Sequence, residues 1–189
     1  MPCKSGTREQ IEAGKKYHIQ QSELEKTCPF RALRRRLDAK VFSEGGGFPT
    51  LSGSEKLYWV VNVLEGEVYN GGFDQYFWNS SGAHYLLTLE GLNALGAGRS
   101  LSLLQEAKRT LFGKGRVPED TAERRDLLRA LFPERMPEAL NSLDKAYWEN
   151  PDDLGGKLER FAVQEGLLAQ QAVEGGGTIF GGTAPECSR

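Results

Sequence analysis

The stretch NGGFDQYFWNSSG, residues 70–82, is the least ordinary part of this chain. Two glycines precede four aromatic residues within six positions; one acid and one amide lie between the aromatics, and further amides, Asn70 and Asn79, flank the stretch. Asn or Gly just past a helix end can adopt the left-handed conformation that satisfies the last carbonyl groups. We therefore predict a helical corner, in which Phe73, Tyr76 and Phe77 face the core and the amides bond the backbone ends of neighbouring helices.

Apolar residues recur at helical spacing on both sides of this corner, whereas strand alternation is weak. Ser52 and Glu55 fit a capping box that begins a helix before the corner. Further helices are expected at about 83–95 (with Leu86, Leu89 and Leu92), at about 100–112, after a cap at Asp120 (with Leu127, Leu128 and Leu131), along Met136, Leu140, Leu143 and Tyr147, and after Asn150. The sequence thus predicts an all-α fold, a compact domain of about six or seven helices.

The segment ENPDD, residues 149–153, is expected to begin the last helix. Asn150 would be the cap and Pro151 the first helical residue, so that Asp152 and Asp153 face the positive end of the helix dipole.

Charge and glycine content divide the chain into three parts. Residues 1–45 form a basic, partly helical arm, since residues 1–40 hold ten Lys and Arg against five Asp and Glu. Residues 46–172 form the all-α domain, after a loop with three consecutive glycines. Residues 173–189 are glycine-rich and are predicted to be a disordered tail.

The composition argues against several classes of protein. No apolar run reaches the roughly 20 residues that cross a bilayer, so we expect no membrane segment. Three cysteines and two isolated histidines, without a C-x-x-C pair, suggest no disulfide framework, no metal site and no cofactor, and favour the cytoplasm. Net charge is −2. The sequence leaves the oligomeric state open, and a dimer is one possibility.

The segment LEGEVYNGGFDQYFWNSSG, residues 64–82, resembles the signature of the DMP19-like family of bacterial proteins. LEGLNALGA at 89–97 and LDKAYWENPDDL at 143–154 fit the same family, and the resemblance covers roughly 50–170. The signature positions are Asn70, Gly71, Gly72, Phe73, Gln75, Phe77, Asn79, Ser80 and Gly82. The resemblance implies an all-α, non-enzymatic protein-interaction domain whose acidic surface imitates DNA and binds a basic DNA-binding or regulatory protein.

Two acidic clusters are candidates for such an interaction surface. The first contains Asp144, Glu149, Asp152 and Asp153, and the second contains Glu119, Asp120, Glu123 and Asp126. Helix capping by the same acids is the competing interpretation. Direct nucleic-acid binding by the aromatic stretch is not expected, because residues 57–98 contain no Lys or Arg.

An enzyme with a cleft beside residues 70–82 is the alternative function. The chain has no G-x-S-x-G, Walker A, G-x-G-x-x-G or H-E-x-x-H pattern, and we assign no catalytic residue. A deep pocket lined by Asn70, Gln75 and Asn79 would favour this alternative.

Overall fold

The computed structural model describes residues 28–42, 46–134 and 136–168, and within these ranges the regular structure is entirely helical. The α-helices are α1 (Pro29–Phe42), α2 (Gly53–Trp78), α3 (Tyr85–Ala94), α4 (Gly98–Phe112), α5 (Thr121–Leu131), α6 (Ala139–Trp148) and α7 (Leu154–Gln164). Short 3-10 helices, Phe48–Thr50 and Ser80–His84, precede α2 and α3. The predicted all-α fold is confirmed, whereas the tail at 173–189 lies outside the described residues.

Helix α2 is the centre of the domain, because it contacts α1, α3, α5, α6 and α7. It begins with the predicted capping box: the Glu55 amide donates to Ser52 Oγ at 3.2 Å, and the Ser52 amide donates to Glu55 Oε2 at 3.0 Å. Its apolar face is buried along its whole length, with Val61, Leu64 and Val68 fully inaccessible to solvent. The other helices therefore pack around one long helix whose apolar face is buried.

Helix α1 packs into the same core, although it falls within the segment assigned to the basic arm. Leu33 and Leu37 are buried in the common apolar cluster. Trp59 Nε1 donates to Asp38 Oδ1 at 2.9 Å, and Lys40 Nζ lies 2.7 Å from Glu55 Oε1. Residues 29–42 are thus part of the domain, and residues 1–27 and 43–45 lie outside the described ranges.

Two further observations concern a cysteine and the helices. Cys28, just before α1, is disulfide-bonded, which the cysteine count did not lead us to expect. The cytoplasmic compartment stays a prediction. No helix in the described ranges is both long and apolar enough to span a membrane.

The leucine pattern overpredicts the core on α3 and α5. Leu86, Leu127 and Leu131 are exposed, with 67%, 36% and 48% of their surface accessible. Helix α5 turns Arg124 and Leu128 inward instead, one helical turn apart, and both are fully buried. The apolar stripe predicted for α5 is therefore wrong in orientation, because a charged residue occupies part of its buried face.

The predicted start of the last helix is also wrong. Helix α7 begins at Leu154, and both Asn150 and Asp153 adopt left-handed backbone angles, with φ of 52° and 49°. A left-handed residue cannot continue a right-handed helix, so the chain makes a turn over 150–153 before α7 begins.

We expect Phe73→Ala or Phe77→Ala to lower the free energy of unfolding by about 3–5 kcal/mol, because both rings are fully buried and truncation leaves a cavity. Urea denaturation measures the change. Leu86→Ala, at an exposed leucine of α3, is the control and should change the free energy by no more than about 0.5 kcal/mol. Free energies of unfolding that are equal for both Phe variants and the control would contradict the core assignment.

Candidate functional site

The predicted corner forms where α2 kinks at a glycine pair. Gly71 and Gly72 have non-helical backbone angles, and Gly72 has φ of 81°. Helix resumes at Phe73 and ends at Trp78, so a short aromatic helix follows the long one. We call residues 70–82 the aromatic corner. As predicted, Phe73, Tyr76 and Phe77 face the core, and Tyr76 Oη pairs with Thr88 Oγ1 at 2.9 Å.

A buried carboxylate holds the N-terminal end of the short aromatic helix. Asp144 of α6 accepts a hydrogen bond from the Phe73 amide at 2.8 Å. The fit requires glycine at position 72, since a Cβ there would lie 2.5 Å from Asp144 Oδ2 and the positive φ is strained for other residues. Only 7% of the Asp144 surface is exposed. Asp144 is therefore a structural cap, and its assignment to an acidic interaction surface is wrong.

A buried arginine holds the opposite end of the same helix. Arg124 of α5 donates from Nε to the Phe77 carbonyl at 2.6 Å and from Nη2 to the Asn79 carbonyl at 2.5 Å. A Cβ at Gly82 would lie 2.7 Å from Arg124 Nε, so glycine admits the guanidinium. The neighbouring Arg125 donates from Nε to the Trp78 carbonyl at 2.9 Å. These donors satisfy the carbonyl groups that a helix end leaves free.

Arg124 also holds the loop that precedes its own helix. Its Nη1 donates to the carbonyls of Pro118 and Glu119 at 2.8 and 3.1 Å. Burial lowers the pKa of the guanidinium, but arginine stays protonated in proteins. The charge is stabilised by carbonyl oxygens and by the negative end of the short helix. Sequence reasoning missed this residue; the one signal available was its position four residues before Leu128, on the buried side of α5.

The amides of the corner gather around one carboxylate. Glu67 accepts from Gln75 Nε2 at 2.6 Å, from Asn79 Nδ2 at 3.0 Å and from Ser81 Oγ at 3.2 Å. The prediction that the amides bond backbone ends is wrong for Gln75 and Asn79. Their side chains donate instead to Glu67, which lies one turn before the kink. Asn70 and Ser80 are exposed.

Of the other three acids in the first cluster, one caps a helix and two lie on the surface. Asp152 accepts from the Ser100 amide at 2.6 Å and thereby caps α4, rather than the helix that follows it in sequence. Glu149 is exposed, and Asp153 is exposed with Arg160 Nη2 at 3.9 Å from its Oδ2. The surface part of this cluster therefore consists of Glu149 and Asp153, with Asp152 partly buried beside them.

The second acidic cluster lies along the start of α5 and is exposed throughout. Asp120 is the helix cap, as predicted, and accepts from the Glu123 amide at 2.7 Å. Glu123 pairs with Arg116 at 3.3 Å, and Asp126 pairs with Arg129 at 2.9 Å. Exposed pairs of this kind are weak and are screened by salt, so the acids stay available to a stronger partner.

Within the described ranges, no set of three or more His, Cys, Asp or Glu is placed to hold a metal ion. The three surface cavities that we describe are lined by residues other than Asn70, Gln75 and Asn79. Gln75 and Asn79 are hydrogen-bonded to Glu67, and Phe73, Tyr76 and Phe77 fill the core.

The fold and the corner together define an all-α domain built around a kinked helix, whose short aromatic segment is held between an acid and an arginine. The sequence profile of the family described as DMP19-like protein matches residues 49–165, and the chain belongs to this family. No curated protein and no solved structure matches the chain. The resemblance first noted from the corner residues is thereby confirmed.

Arg124→Met should lower the free energy of unfolding by about 3–5 kcal/mol, because it keeps an unbranched side chain but leaves buried carbonyls without donors. Arg109→Met, at an exposed arginine of α4, is the matched control. Chemical denaturation of both variants measures the difference. Equal stability of the two would show that Arg124 does not hold the corner.

The charge of Asp144 should make stability depend on pH in a defined direction. Burial raises the pKa of its carboxyl, the Phe73 hydrogen bond lowers it, and Asp74 raises it; the net change is upward from 3.8. The folded state then binds the Asp144 proton more tightly than the unfolded state does. The stability that this protonation contributes is therefore fully present below the unfolded pKa and is lost as pH rises through the folded pKa.

We therefore expect the stability of the parent, relative to Asp144→Asn, to fall as pH rises from about 4 to about 7. The Asn side chain keeps an acceptor for the Phe73 amide without the charge. Urea unfolding of both proteins across this range measures the difference and cancels other titrating groups. A difference that grows in favour of the parent at higher pH would mean that the folded pKa of Asp144 is lowered.

Proposed function

We propose that this chain is a non-enzymatic interaction domain that binds a basic, DNA-binding or regulatory protein through exposed acids. The distribution of charge is the observation that carries the proposal. Residues 49–165, which match the family, contain thirteen Lys and Arg against eighteen Asp and Glu, a net charge of −5. The net −2 of the whole chain conceals this excess, because the basic residues concentrate before it.

Three of the cations in the matched region are engaged by the domain itself. Arg124 is buried, Arg125 donates to the corner backbone, and the guanidinium carbons of Arg125 and Arg129 lie 5.4 and 5.0 Å from the centre of the Trp78 ring. The acids are mostly on the surface, among them Glu90, Glu106, Glu119, Asp120, Glu123, Asp126, Glu149 and Asp153. A partner therefore meets a surface more acidic than the composition suggests.

Aromatic side chains beside Glu149 make this part of the surface the best candidate for contact. Trp148 is 46% exposed, and its Nε1 donates to the Val68 carbonyl at 2.8 Å, which places the indole at the kink. Tyr69, 40% exposed, follows Val68 directly. Trp and Tyr are enriched at the centres of protein interfaces, where acids around them select a basic partner.

The alternative of an enzyme with a cleft beside residues 70–82 finds no corresponding support in the described ranges. Two of the three amides that would line such a cleft, Gln75 and Asn79, are hydrogen-bonded to Glu67, and the third, Asn70, is exposed. The interaction proposal is the one that the surface charges favour.

The test is the double variant Glu149→Gln with Asp153→Asn, assayed against a partner captured from the native host. We expect its affinity to fall by about three- to tenfold at low salt and the difference to shrink at high salt, because exposed charges are screened. Glu90→Gln with Glu106→Gln, two exposed acids on α3 and α4, is the control and should bind like the parent.

Competition with DNA separates charge imitation from other modes of binding. If the domain occupies a DNA-binding face, duplex DNA should release the captured protein in proportion to its concentration. Binding that persists under excess DNA and high salt would contradict the proposal.

A further inference from the structure

A surface cavity on the side of α3 and α4 has a composition unlike that of the acidic surface. Its volume is about 480 Å³, within the range of small-molecule sites. Leu86, Leu87, Leu89 and Val117 supply an apolar lining, and Lys108 and Arg116 supply positive charge. Leu86 is 67% exposed, which is a large solvent-facing area for a leucine.

Contacts on two sides hold the walls of the cavity in place. Arg124 binds the carbonyls of Pro118 and Glu119, so the loop that forms one wall is tied to the aromatic corner. On the other side, the His84 ring stacks on Phe48 with ring centres 4.1 Å apart. The cavity is therefore formed before any ligand arrives, and binding would need little reordering.

The charges around the cavity favour an anion. Lys108 Nζ donates to the Gly113 carbonyl at 3.1 Å and Arg116 pairs with Glu123 at 3.3 Å, and both are surface contacts that a bound anion could replace. Glu119 is the one acid in the lining. Burial, followed by the nearby charge of Arg124, lowers the pKa of His84, so this ring adds no positive charge at neutral pH.

We propose that this cavity binds a small carboxylate that carries an apolar chain. The chain would cover Leu86 and its neighbours, and the carboxylate would meet Lys108 and Arg116 at the rim. Carboxylates form charge-assisted hydrogen bonds with both cations, and the apolar lining excludes compact, strongly hydrated anions. This site does not depend on the proposed acidic interaction surface.

The experiment uses the full chain and octanoate, with 1-octanol as the uncharged probe of the same chain length. Amide chemical shifts are followed while each probe is added below the concentration at which it aggregates. We expect saturable binding of octanoate, with shifts around the cavity, and at least fivefold weaker binding of octanol. Equal affinity for the two probes would overturn the assignment of an anionic head group, and absence of saturable octanoate binding would overturn the site.

Two variants locate the ligand. Lys108→Gln with Arg116→Gln should weaken octanoate at least fivefold and leave octanol unchanged, because only the charge is removed. Leu86→Ser should weaken both probes, whereas Leu131→Ser, at an exposed leucine of α5 outside the cavity, should weaken neither. Equal effects of the two leucine variants would show that octanoate binds elsewhere.

Discussion

A buried guanidinium whose partners are mainly backbone carbonyls determines how this domain is assembled. Arg124 joins the end of the aromatic corner to the loop before α5, and the glycine at position 82 makes room for it. Asp144 caps the other end of the same short helix. Six helical residues are too few to be stable alone. An acid at the positive end and an arginine at the negative end offset this weakness and fix α5 and α6 against α2.

The sequence predicted those features whose determinants lie close together along the chain. The Ser52–Glu55 box and the Asp120 cap each act over three residues, and both were predicted correctly. The remaining contacts act at long range: Asp144 to Phe73 spans 71 residues, Asp152 to Ser100 spans 52, and Arg124 to Phe77 spans 47. Two acids of the predicted surface cluster, Asp144 and Asp152, are therefore caps for distant helix starts, because local spacing cannot show which helix end a side chain meets.

The difference between buried and exposed charges explains why the net charge of the chain describes its surface poorly. A buried arginine counts as much in the composition as an exposed one, but its charge is neutralised by carbonyl dipoles and contributes little to the outer field. The cations of α1 are likewise partly engaged, as Arg36 donates to the Leu167 carbonyl at 2.6 Å and Lys40 pairs with Glu55. The surface left by these contacts is more acidic near α5 and α6 than the total of −2 implies.

Most of the signature residues noted in the sequence have structural roles at the corner. Gly72 and Gly82 admit Asp144 and Arg124, Phe73 and Phe77 fill the core, and Gln75 and Asn79 bind Glu67. Membership of the family therefore indicates the fold. The side chains that fill the interior of the corner are not free to contact a partner as well. If the domain binds a partner as proposed, its specificity comes from side chains that the corner leaves exposed, such as Trp148 and Glu149. Two chains can thus share the corner and still bind different partners.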